Sequence, residues 1–183
     1  MTPTATLPLH PWWCADQDDD PHLRIAHHSE FEGVVDAAHS LVAVGLVQEP
    51  GGPVRVQVSV ATGQVPHIGE ADVRLSYAQA LWLWRKMGVR LLEIAPIWLP
   101  TDLAADPYLR AVCPPDPDDA FPPDGPPLVD VDTLPDRSTI RLLVPAENGS
   151  LVAPAMTHPQ AVRWWRYLTS HLKRLGVIPM LDR

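Results

Sequence analysis

Cysteine is scarce: Cys14 and Cys113 are the only two in 183 residues. Two thiols do not make the disulfide framework on which small secreted domains rest, and spacing alone cannot pair them. Lysine is just as rare, because only Lys86 and Lys173 among the 14 basic residues are lysine and the rest are arginine. No apolar run reaches the ~18 residues that a helix needs to cross a bilayer. Met1 to Asp20 has neither the basic start nor the apolar centre of a secretory leader. These absences predict a chain with no membrane partner, working in a reducing cytoplasm. Also missing are a Walker A loop, a Gly-x-Gly-x-x-Gly turn and a His-Glu-x-x-His pair. The aspartate runs at 16–20 and 116–119 lack the glycine and closing glutamate of a calcium loop and read as solvated turns. With eight histidines a Ser–His–Asp set can be assembled from almost any spacing, so none is assigned.

What is present suffices for a core: 46% of residues are hydrophobic and 7 are tryptophan. The net charge of −8 keeps such a chain soluble and argues against the whole molecule gripping a phosphate backbone. The 22 prolines cannot sit inside helices or central strands, so much of the chain is connector.

Residues 1–33 form a turn-rich arm carrying His, Cys and Asp. Ser40 to Val47 is a continuous apolar run suited to a buried strand. After the break at Pro50-Gly51-Gly52-Pro53, Val54, Val56, Val58 and Val60 alternate with polar residues, which predicts a hairpin partner. Ser76 offers a helix cap, Ala80, Leu81, Trp84 and Met87 keep helical spacing, and Gly88 reads as the stop. Val89 to Ala95 reads as a further strand. Residues 96–137 hold eleven prolines interleaved with aspartate and read as a semi-rigid acidic connector or a polyproline ligand. Ile140, Leu142 and Val144 then alternate, Asn148-Gly149 marks a hairpin turn, and Thr157 with Pro159 opens a long helix that ends at Gly176.

The two helices align. Leu75-Ser76-x-x-Gln79-Ala80 lies over Met156-Thr157-x-x-Gln160-Ala161, Trp84-Arg85 lies over Trp165-Arg166, and both close on a basic pair, an apolar residue and Gly-Val. Gln-Ala at one offset and Trp-Arg at another favour duplication over two unrelated amphipathic helices. The expected fold is therefore α+β: two strand–strand–helix repeats at 34–95 and 138–183, with an antiparallel sheet or two small sheets and the helices on one face. In that picture Trp84 and Trp165 each anchor a helix to its own strand pair.

One stretch has the composition of a metal site. His10, Cys14, His22 and either His27 or His28 could hold zinc tetrahedrally, with Asp16, Asp18, Asp19 and Asp20 as acceptors behind the imidazoles. We take His10, Cys14, His22 and His28 as the candidate ligands. His10-Pro11-Trp12-Trp13-Cys14, His28 and Leu75-Ser76 to Ala80 also resemble a small domain family of unknown function, frequent in actinobacteria. That family opens with a Cys-Pro-x-Trp-Cys-like motif. The resemblance spans roughly residues 10–90 and implies no activity, and His10 stands where the family has its first cysteine.

Trp82 and Trp164 lie off the apolar stripes and are candidate partner contacts. Thr157 to Arg183 carries Arg163, Arg166, Lys173, Arg174 and Arg183 against Asp182 alone and so nets +4, against −12 for the rest. That basic face could meet nucleic acid, an acidic protein, or the chain's own acidic connector. The sequence thus points to a non-catalytic binding or regulatory module acting through protein contacts. The alternatives are a zinc-stabilised nucleic-acid-binding accessory protein and a metal-dependent hydrolase.

Overall fold

A computed structural model describes residues 13–15, 27–35, 40–64, 67–94, 106–111, 125, 128–134 and 139–180. Alternation builds the first sheet. Strands β3 (Leu41–Gln48) and β4 (Val54–Gln64) pair antiparallel, with Val42 opposite Val60 and Leu46 opposite Val56. Pro50 to Gly52 make the turn, with Gly51 at φ +71°, a conformation that favours glycine. Strand β5 (His67–Leu75) pairs with β4 on its other side. The short strands β1 (His27–His28) and β2 (Glu32–Val35) share the far side of β3. Between them Ser29 bridges the break: its N–H donates to the Leu46 carbonyl and its Oγ accepts from the Leu46 N–H. Strand β5 lies outside the expected elements, although Ala71, Val73 and Leu75 point inward while Asp72 and Arg74 point out.

The second sheet holds β6 (Asp130–Thr133), β7 (Thr139–Pro145), β8 (Leu151–Val152) and β9 (Ala155–Thr157). Antiparallel β6 flanks one side of β7, and β8 and β9 flank the other. Gly149 turns the β7–β8 hairpin at φ +79°. The fold is therefore α+β with two antiparallel sheets. Strand β6 falls inside the stretch expected to be connector, as does the short helix α2 (Pro107–Ala111). Val129 and Val131 alternate with Asp130 and Asp132, and burial of that apolar pair recruits the segment into the sheet.

Helix α1 (Tyr77–Ile94) does not stop at Gly88, so residues 89–94 of the strand expected over 89–95 are its last turns. Met87, Leu91 and Ile94 prolong the buried stripe by four and three residues, and that burial outweighs the helix-weakening effect of a glycine. Helix α3 (His158–Arg174) starts behind Thr157. At both helix starts the glutamine three residues on reaches back to the cap: Ser76 N–H to Gln79 Oε1 is 2.9 Å, and Thr157 N–H to Gln160 Oε1 is 2.8 Å.

The helices do not each sit on their own strands. Helix α3 packs on β2 and β3 of the first sheet as well as on β9 and β7, and α1 packs on β6 as well as on β4 and β5. One continuous core results. At its centre Trp84 and Trp165 stack on each other, with centroids 5.6 Å apart and planes 12° apart. Trp165 Nε1–H donates to the Trp84 carbonyl (3.0 Å), and Trp84 Nε1–H donates to Thr169 Oγ1 (2.8 Å), which donates on to the Trp165 carbonyl (2.7 Å). The residue four after Trp84 is buried Gly88, and the one four after Trp165 is Thr169, which supplies the relaying hydroxyl. Each tryptophan thus locks its helix to the other helix, not to a private strand pair.

Candidate functional site

In the N-terminal arm, Ala15 N–H donates to the His28 carbonyl at 2.7 Å, which lays residues 13–15 along β1. Neighbouring side chains on a strand point to opposite faces, so only one of His27 and His28 can meet Cys14. It is His27, whose Nδ1 lies 3.6 Å from Cys14 Sγ; the His28 ring instead stands 6.5 Å from that of Phe31. His10 and His22 lie outside the described residues. Among the described residues no three His, Cys, Asp or Glu side chains gather as a metal would require. Of the two histidines, His27 therefore replaces His28 in the zinc expectation. Its test is metal content: about one equivalent per chain, lost in Cys14→Ser and His27→Ala and kept in His28→Ala. Protein purified without chelator and carrying no zinc would end that reading.

The partner-contact candidates separate sharply. Trp164 is fully buried (0% exposed), so it is core and not a contact surface. It lies two turns before buried His171, on the side of α3 turned to β2 and β3, a second face that a single apolar stripe does not foretell. Trp82 is half-buried with Lys86 Nζ 4.7 Å above its ring, and Lys86 also pairs with Asp130 at 2.6 Å. On α3, Lys173 Nζ sits 3.8 Å over the Tyr108 ring, and Arg166 Nε lies 3.9 Å from Asp106 Oδ2. The connector's own α2 region thus engages two of the four basic residues, leaving Arg163 and Arg174 exposed.

A groove of about 760 Å³ opens where the β3–β4 turn, the end of β5, the start of α1 and the approach to β6 converge. The β4–β5 register sets Arg74 opposite Gln57 and brings Arg55 to the same end of the sheet. Both arginines line the groove, together with Ser76, Tyr77, Gln79 and Leu128. Arg74 is held by an ion pair with Glu49, whereas Arg55 makes none among the described residues. Tyr77 is 41% and Leu128 40% exposed, large apolar surfaces that a finished core would have covered. No carboxylate, histidine or cysteine is among the lining residues. Gln79 is only 8% exposed, and its carbonyl is taken by the Ser76 N–H. No described acceptor meets its side-chain N–H₂. The groove therefore offers guanidinium and amide donors between apolar walls, a set suited to holding a carboxylate or a backbone carbonyl and carrying no nucleophile–base pair. Its residues come from three distant segments, which is why periodicity does not reveal it.

A polar pair is buried elsewhere, under α3. His171 Nε2 lies 3.4 Å from Glu32 Oε2, and neither ring nitrogen makes a hydrogen bond of ordinary geometry, the Val44 carbonyl being the nearby acceptor. Burial first, then the Arg174 charge, pushes this imidazole down to about 4, against the raising effect of the Val44 carbonyl. It is a neutral core residue at ordinary pH. The chain matches no family model and no curated protein.

Proposed function

We propose that this protein is a non-catalytic binding module that recognises another protein through the groove at the start of α1. The observation that supports this is the groove's make-up: two arginines and the Gln79 amide donor beside exposed Tyr77 and Leu128, on a chain of net charge −8. Apolar surface with a few placed donors is what a peptide contact uses. A nucleic-acid reading leans on α3, where Lys173 and Arg166 already face Tyr108 and Asp106.

Capture from the native host, with wild type compared against Arg55→Glu combined with Tyr77→Ala, tests the reading. Both positions are at or near the surface, so folding is retained. At least one protein should be held by wild type and lost by the variant. Identical sets would overturn the groove as the contact, and salt-sensitive retention on DNA equal in both would favour nucleic acid.

A further inference from the structure

The register of the two sheets says what shape fits the groove. In the first sheet Leu75, just before α1, pairs with Val56, which pairs with Leu46. In the second, Met156, just before α3, pairs with Ile140, which pairs with Thr133. Counting back five residues along each outer strand, Leu128 takes the place of Leu41. Both are exposed, and the residues after them match in burial: Val129 and Val131 against Val42 and Val44. Opposite Leu41 stands Val35 of β2, and its carbonyl accepts from Gln160 Nε2 at 2.8 Å. Gln79 holds the place of Gln160, and its N–H₂ group is the groove donor that lacks an acceptor. Beyond β6 the second sheet has no strand corresponding to β2 among the described residues.

We propose that the outer edge of β6 takes an extended segment of a partner protein, antiparallel to residues 128–133. Its backbone carbonyl opposite Leu128 accepts from Gln79 as that of Val35 does from Gln160. The same correspondence fixes a side chain. Glu32, opposite Val44, faces His171 on α3, and the residue in that place on α1 is Arg90, now paired with exposed Glu93. The segment therefore carries an acidic residue opposite Val131, an apolar one two positions on, and further acidity where it passes Arg55. Until it binds, the edge is guarded. Val131 N–H donates to Asp130 Oδ1 at 2.7 Å, and Thr133 N–H donates to the Asp132 carboxylate. Capped amides of this kind keep an edge strand from pairing indiscriminately. Asp130 keeps Lys86 as a partner when the segment displaces it.

The proposal rests on the protein-binding reading above, and its test is separable from it. The probe is a synthetic peptide copying residues 30–36, Glu-Phe-Glu-Gly-Val-Val-Asp, added to the full chain and followed by amide NMR and hydrogen exchange. Added peptide should protect the Val131 and Thr133 amides. Gln79→Glu keeps the helix cap, because a glutamate carbonyl still accepts from Ser76, but it replaces the donor and should weaken binding about fivefold or more. Asp130→Ala removes the guard and should tighten binding severalfold. Absence of binding, or shifts at Arg55 and Tyr77 without protection of Val131 and Thr133, would overturn strand addition while leaving the module reading to the capture experiment. Shifts confined to β3 would show exchange with β2 and would overturn it too.

Discussion

Trp84→Ala and Trp165→Ala should each lower the unfolding free energy by about 3–5 kcal/mol, the range for emptying a buried large aromatic site. The double variant should lose clearly less than the sum. Contacting residues do not add, and these two rings stack at 5.6 Å and trade indole hydrogen bonds. Loss of one ring also strands its partner: without Trp165 the Trp84 ring faces a void, and without Trp84 the Thr169 hydroxyl loses a donor. Trp164→Ala belongs in the same range, because that ring is wholly buried between α3 and the first sheet. Trp82→Ala should cost clearly less than these, since its ring is half-open, packing on the edge of the core and under Lys86. Chemical denaturation of the four single variants and the Trp84/Trp165 double gives the ranking. Additive losses at Trp84 and Trp165, or a Trp82 loss larger than either, would contradict the central stack.

The second large effect is loss of stability in acid. Unfolded histidine titrates near 6.5, whereas folded His171 holds its neutral form down to about 4. Above pH 6.5 both states are neutral and this group adds no pH dependence. As pH falls from 6.5 to about 4 the unfolded chain takes up a proton that the folded one refuses, so stability drops across that window by about 3 kcal/mol and then levels. Among the described residues Glu32, at 3.4 Å, is the acid that faces His171, and Arg174 works against protonation. His158, also pushed down by burial, adds a slope of the same sign. The reading is therefore the difference between wild type and His171→Leu. Urea midpoints at pH 7 and pH 4.5 should fall more steeply in wild type, and equal slopes would show that His171 is already charged or open to water.

The legible parts of this fold were those governed by local rules. Val54 to Val60 alternates, Asn148-Gly149 turns, and Ser76 and Thr157 cap, because strand pleat, turn conformation and helix-end amides are each decided within a few residues. The errors came where distant packing overrode a local sign. Gly88 carries the sign of a helix stop, yet α1 continues because Leu91 and Ile94 find the core. Val129 and Val131 sit among prolines and read as connector until β7 is there to pair with them. Trp164 lies off the stripe that carries Trp165 because this helix meets α1 on one side and β2 and β3 on the other, and two buried faces do not fit one stripe. In the arm, strand alternation sets His27 and not His28 beside Cys14, a choice that the adjacent pair His27-His28 leaves open in the sequence.

Groove recognition is tested most directly by where a partner can be photo-crosslinked in the native host. A benzophenone side chain at Tyr77 or Leu128 should yield a covalent adduct with another protein, and the adduct should fade when Arg55→Glu is added. The same probe at Leu151 or Met180, which are 64% and 79% exposed but lie away from the groove, should yield none. Adducts at Leu151 or Met180 with nothing at Tyr77 and Leu128 would place recognition elsewhere and contradict the account.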